Sequence, residues 1–175
     1  LALFKQLGVV GKAPRGALAY KYPAEQATTI IEDIQVQVGR TGALTPVAHL
    51  KPVKVAGSTV SRATLHNMDE IKRLDVRIGD TVILQKAGDV IPDIVKSLPN
   101  LRTGKEKHFI MPKRCPVCES PVVRHDGEVA YYCSNKKCYA KQHESLRHFV
   151  SKGAFDIDGL GPKILEQLAA ADLVK

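Results

Sequence analysis

All four cysteines of the sequence fall between positions 115 and 138, in the order Cys115-x2-Cys118-x14-Cys133-x4-Cys138. Two close pairs split by a strand-like stretch are the donor pattern of a tetrahedral metal site. Each pair sits on a tight turn, so its sulfurs converge on one ion at about 2.3 Å. Pro116 bends the chain between the first two ligands. Val122, Val123, Val129, Tyr131 and Tyr132 around Asp126-Gly127 read as a hairpin that returns the second pair to the first. Two disulfides suit a secreted mini-protein, whereas this chain has apolar residues enough for cores. A redox Cys-x-x-Cys pair usually stands alone at a helix start. A catalytic zinc keeps an open position that four thiolates would fill. The spacing therefore predicts a small structural zinc finger with four cysteine ligands. In a finger this small the metal supplies most of the folding free energy, on the order of 10–16 kcal/mol in zinc-finger peptides.

The segments on either side must position that finger. Residues 27–111 are strand-dominated: Ile34, Val36 and Val38 alternate with Asp33, Gln35 and Gln37, the period of a half-buried strand. A turn over Gly39–Gly42 precedes Leu44–Leu50, and Val53 with Val55 reads as a third strand before Gly57. Asn67 caps a short helix with Asp69 and Glu70 in its first turn, ending near Leu74. Strands over 81–86 and around 90–91 complete the pattern. Five short strands and one helix predict a small closed barrel of the OB type, although a two-sheet sandwich shares the periodicity. Pro99 to Lys107 is a polar basic linker.

After the finger the pattern turns helical. Leu146, Phe149 and Val150 share a face that Gly153 closes, and Asp158-Gly159-Leu160-Gly161-Pro162 leads into Ile164, Leu165, Leu168 and Ala169. Two helices joined through Gly-x-Gly read as a helix-hairpin-helix unit. Its glycines let backbone approach a phosphate, and its second helix offers free amides. A plain helical corner uses glycine equally well. The expected organisation is multidomain: the end of a larger domain over 1–26, which is too short for its own core, an OB barrel over 27–111, a finger over 112–140 and helices over 141–175.

The chain has 175 residues, 44% apolar and 25% charged, ordinary for a soluble globular protein. No apolar run matches a membrane span and no signal peptide is visible. With reduced cysteines this points to the cytoplasm. Net charge is +8, spread along the chain as suits an extended polyanion. Aromatic residues make up only 5%, which disfavours single-strand binding by base stacking and favours contact with a duplex backbone.

Several segments occur in a telling order: Ala13-Pro-Arg-Gly-Ala-Leu-Ala-Tyr-Lys-Tyr-Pro-Ala-Glu25, Val38-Gly-Arg-Thr-Gly-Ala-Leu-Thr-Pro-Val-Ala48, Val60-Ser-Arg-Ala-Thr-Leu-His-Asn67 and Ala87-Gly-Asp-Val-Ile-Pro92. The four-cysteine finger and Asp156-Ile-Asp-Gly-Leu-Gly161 follow. Together they resemble bacterial NAD+-dependent DNA ligase over essentially the whole chain. The resemblance implies an enzyme that seals nicks in duplex DNA through enzyme-AMP and DNA-adenylate intermediates, using NAD+, Mg2+ and structural Zn2+, and acting as a monomer. The family's Lys-x-Asp-Gly nucleophile motif does not occur here. The resemblance therefore implies a partial ligase, unable to adenylate itself, that supplies a DNA clamp. A noncatalytic DNA-binding module built from the same folds is the rival reading.

By the same resemblance Lys21 contacts the nucleotide phosphate, where a fixed ammonium stabilises charge moving onto phosphate oxygens, and Arg15 orients groups nearby. Gly16 stands where the family commonly has a large aromatic residue, and Lys86 where arginine is frequent. Arg40 and Arg62, in turn-associated motifs, are expected to face DNA phosphates, with Lys86, Gly159, Gly161 and Lys163 as further contacts. Asp89 reads as a turn former and His66 as a neutral hydrogen-bonding group.

Overall fold

The computed structural model describes residues 6–18, 23–86 and 91–174. Lys21, Asp89 and the greater part of the strand expected over 17–22 lie outside the described residues. Two long strands, β1 (Glu25–Val38) and β2 (Ala43–Val55), start a barrel completed by β3 (Ser58–Thr64), β4 (Thr81–Lys86) and β5 (Asp93–Ser97). The second half of β1 pairs with β2, Ile34 opposite Ala48 and Val38 opposite Leu44. Its first half pairs with β4, Ala27 opposite Leu84. β2 pairs with β3, β4 with β5, and a parallel bridge between Thr64 and Asp93 joins β3 to β5. The order β1-β2-β3-β5-β4, returning to β1, is the closed five-stranded OB barrel that the sequence predicts.

One strand can serve two partners because it is bulged. A register irregularity between Ile31 and Asp33 changes the phase of alternation, so Thr29 and Ile31 point inward before it and Ile34 and Val38 after it. The interior they enter is largely apolar: Ile31, Ala48, Val82 and Leu84 are fully buried, with Leu50, Leu65 and Ile94 at 2% exposure or less. Each large side chain there contributes about 2 kcal/mol.

The third strand is not the expected one. Val53 and Val55 belong to β2, which runs on past an irregularity between His49 and Val53, where Pro52 lacks a ladder donor. The reversal comes afterwards, at Ala56 (φ 46°) and Gly57 (φ 71°). Both central residues of that two-residue hairpin have positive φ, as a type I′ turn requires. Helix α1 (Met68–Arg73) forms as read, with the Asn67 side chain accepting from the Glu70 amide at 2.8 Å.

A buried ion pair anchors the exit from the barrel. Asp80, with no side-chain exposure, accepts from Arg102 Nε at 2.7 Å, Arg102 Nη2 at 2.8 Å and the Arg77 amide at 2.8 Å. Arg102 follows a 3-10 turn, Pro99–Leu101, and also reaches Asp75 at 2.6 Å.

Beyond this latch lie the finger strands β6 (Val122–Val123) and β7 (Tyr131–Cys133), then α2 (Tyr139–Val150) and α3 (Pro162–Ala170). Gly153 does not close α2. The helix stops at Val150 because Ser151 takes up an extended backbone, ψ 161°, and its hydroxyl donates to the His148 carbonyl at 2.7 Å. The chain then folds back, the amides of Phe155 and Ile157 donating to Phe149 and Val150, each at 3.0 Å. Val150 and Leu165 are buried between the helices, and Pro162 occupies the first turn of α3, where its missing N–H costs nothing.

Candidate metal centre and nucleic-acid interface

Two knuckles carry the sulfurs. In the first, the Glu119 amide donates to the Cys115 carbonyl at 2.9 Å and the Cys115 amide to the Ser120 carbonyl at 2.9 Å. Pro116 lies inside the turn that the first of these bonds closes, as expected, and the chain leaves the knuckle through Glu119 in the left-handed region at φ 56°. In the second, Asn135 accepts from the Lys137 amide at 2.9 Å and Cys138 becomes the N-cap of α2. The hairpin between them pairs Val122 with Cys133 and Val123 with Tyr132, and Gly127 turns its tip at φ 80°.

All four Sγ atoms lie within 4.8 Å of one another. Cys115 and Cys138 are 3.9 Å apart, Cys118 and Cys133 3.4 Å. Disulfide sulfurs stand near 2.05 Å, whereas four thiolates at about 2.3 Å from one ion stand roughly 3.8 Å apart. The donor set and its spacing fit a structural zinc ion, held by Cys115, Cys118, Cys133 and Cys138.

Their ionisation is uneven. Hydrogen bonding from Ser120 brings the Cys118 thiol down to about 6. Burial pushes Cys133 up to about 12 and raises Cys138 as well. Burial thus opposes ionisation of Cys133 and Cys138, and a bound cation would offset that desolvation.

The finger is built into the barrel sheet. Tyr131 and Tyr132 pair with Leu44 and Ala43 at the start of β2, and the Cys133 amide donates to the Gly42 carbonyl at 2.9 Å. Lys141 of α2 donates to the Cys133 carbonyl at 2.7 Å, its stem crossing directly over Gly42. A Cβ on Gly42 would stand 2.0 Å from Lys141 Cε. Gly42 also holds φ at +88°, a region that favours glycine. On the far side of the hairpin, Arg124 pairs with Asp69 of α1 at 3.0 Å and lies over the Tyr131 ring at 5.4 Å.

The expected contact residues divide. Arg40 stands exposed on the β1–β2 turn and faces a groove shared with Lys136 and Lys141 and floored by α2. Sequence reading missed those two lysines, although both adjoin the second cysteine pair. Arg62 is exposed on β3, opposite His49. Lys86 ends β4 with its Nζ donating to Ser58 Oγ at 2.8 Å. Gly159 (φ 76°) and Gly161 lie in the connector to α3, Gly161 as its N-cap, and Lys163 follows in the first turn, exposed. Arg15 is exposed beside a two-residue hairpin, Val9–Val10 with Ala13–Pro14. His66 lies 3.5 Å from Asp93.

Residues 28–106 match the family model described as NAD-dependent DNA ligase OB-fold domain, and residues 114–140 that of the NAD-dependent DNA ligase C4 zinc finger domain. A protein named DNA ligase from Desulfitobacterium hafniense (strain Y51) is 58% identical over 175 residues, covering 100% of this chain and 27% of the relative. Another of that name from Syntrophotalea carbinolica is 55% identical over 175 residues, covering 100% and 26%. One from Listeria innocua is 54% identical over 171 residues, covering 98% and 26%. The chain spans about a quarter of the length of these curated relatives. With that family's barrel and finger in tandem and sequence identity along its whole length, the chain belongs to the NAD-dependent DNA ligase family.

Proposed function

We propose that this chain forms a DNA-gripping part of an NAD+-dependent ligase that seals nicks in duplex DNA. One observation carries the reading: a ligase-type barrel and finger share one continuous sheet, with Arg40 exposed where they join. Guanidinium groups suit phosphate contact, and among the described residues Arg40 has no carboxylate partner. Arg62, Lys86 and Lys163 extend the basic surface. The helical pair with Gly159 and Gly161 serves as a helix-hairpin-helix backbone contact, working with the barrel to close around the duplex.

In the reaction proposed for the whole enzyme, a lysine attacks the α-phosphate of NAD+, forming a P–N bond and expelling nicotinamide mononucleotide. AMP then passes to the 5′-phosphate of the nick. Finally the 3′-hydroxyl attacks that phosphate, forming the phosphodiester and releasing AMP. Lys21, steadied by Arg15, neutralises charge on the nucleotide phosphate. Mg2+ supplies further charge neutralisation when bound, and no site for it is assigned to the described residues. Zinc takes no part in the chemistry, since four sulfurs fill its coordination sphere.

Nick sealing by the complete reading frame that encodes this chain, with NAD+ or ATP as the only adenylate donor, tests the activity. Sealing with NAD+ alone is the expected result. Duplex binding without sealing on either donor would leave the noncatalytic DNA-binding module instead.

A further inference from the structure

The groove beside Arg40 has a composition that the ligase reading does not by itself explain. One wall is the Arg40 turn, the other is Lys136 between the second pair of cysteines, and α2 forms the floor. The floor is a single helical stripe of Gln142, Ser145, Leu146 and Phe149, positions that share a face at helical spacing. Its half nearer the cysteines is polar and its far half apolar. Among the described residues no carboxylate lines the groove. The acidic residue in the middle of α2, Glu144, pairs instead with Arg147 at 2.8 Å and lies near His143. The walls are also fixed relative to each other. Cys133 is bonded to Gly42 on one side and to Lys141 on the other, so the Arg40 turn, the second knuckle and the start of α2 are parts of one locked corner.

From this corner we infer that the finger takes part in holding DNA: the groove is a binding track for the phosphodiester backbone of a duplex. Lys136, Gln142 and Ser145 contact phosphate oxygens in line with Arg40, and sugars pass over Leu146 and Phe149. Lys141 is a positioning residue, because its ammonium is committed to the Cys133 carbonyl. The inference rests on the DNA-clamp reading and deepens it by giving the metal-bearing module its own share of backbone contact.

The test is binding of a fluorescent nicked duplex to the zinc-loaded chain across a salt series, with Lys136→Ala, Ser145→Glu and Arg40→Ala. Zinc content and far-ultraviolet circular dichroism report on the fold of each variant. Lys136→Ala is expected to weaken binding several-fold and to lower the slope of log affinity against log salt by about one. Ser145→Glu, which sets a negative charge on the floor, is expected to weaken it further while keeping a full complement of zinc. Parental affinity in both variants, with binding reduced in Arg40→Ala, would overturn the track alone. No duplex binding by the parent chain would overturn the clamp reading and the track together.

Discussion

Cys118 and Cys133 stand 3.4 Å apart, yet their surroundings push them in opposite directions. Hydrogen bonding from Ser120 lowers the Cys118 thiol to about 6, and burial pushes that of Cys133 up to about 12. Loading the site must therefore strip protons from buried thiols. Zinc affinity should fall as pH is lowered from about 8 to about 6, with more than one proton released per ion in neutral solution. Competition with a chromophoric chelator across that range checks this; a flat profile would contradict it. The four ligands were legible in the sequence because sulfur spacing is a local property. The bend at Glu119 was not, since a left-handed glutamate carries no compositional signal of the kind glycine does. Lys136 and Lys141 were hidden for another reason: only the docking of β7 against β2 brings them to Arg40.

At the scale of elements, the barrel was readable where alternation is regular and unreadable where it breaks. Strand β3 buries Val60 and Ala63, three positions apart, so its pattern lacks the period of two that betrays a strand. Val53 and Val55 drew the expectation to the wrong side of the hairpin. The α1 cap, in contrast, was visible at once, because Asn67 and the acids after it act on their own turn. The latch between Arg102 and Asp80 joins residues far apart in sequence and left no local trace. Arg102→Leu strands a fully buried carboxylate and should cost about 3 kcal/mol, read from the shift of a urea midpoint. Arg102 also holds the Asp75 carboxyl below its ordinary range. Asp75 therefore adds stability above the usual carboxylate pKa, and loses it as pH falls through the lower folded value. The variant should lack that part of the acid dependence.

For the molecule as a whole, the net charge of +8 and its distribution along barrel, finger and helices predict how it meets DNA. Affinity for a nicked duplex should fall linearly with the logarithm of salt concentration and vary little with sequence, because phosphate contacts release counterions without reading bases. Anisotropy titrations on two unrelated nicked duplexes check this; a salt-independent isotherm, or strong preference for one sequence, would contradict it. Family, barrel and metal site could all be reached from the sequence, through motif order, strand period and cysteine spacing. The union of the modules could not, because nothing in the motifs says that a finger strand extends the barrel sheet.

That union has a consequence for a protein deprived of its ion. Tyr131 and Tyr132 cap the hydrogen-bonding flank of Ala43 and Leu44, and when the finger unravels those backbone groups are left bare. An uncovered strand border recruits strands from neighbouring copies. Zinc starvation should therefore show itself as self-association before the barrel melts.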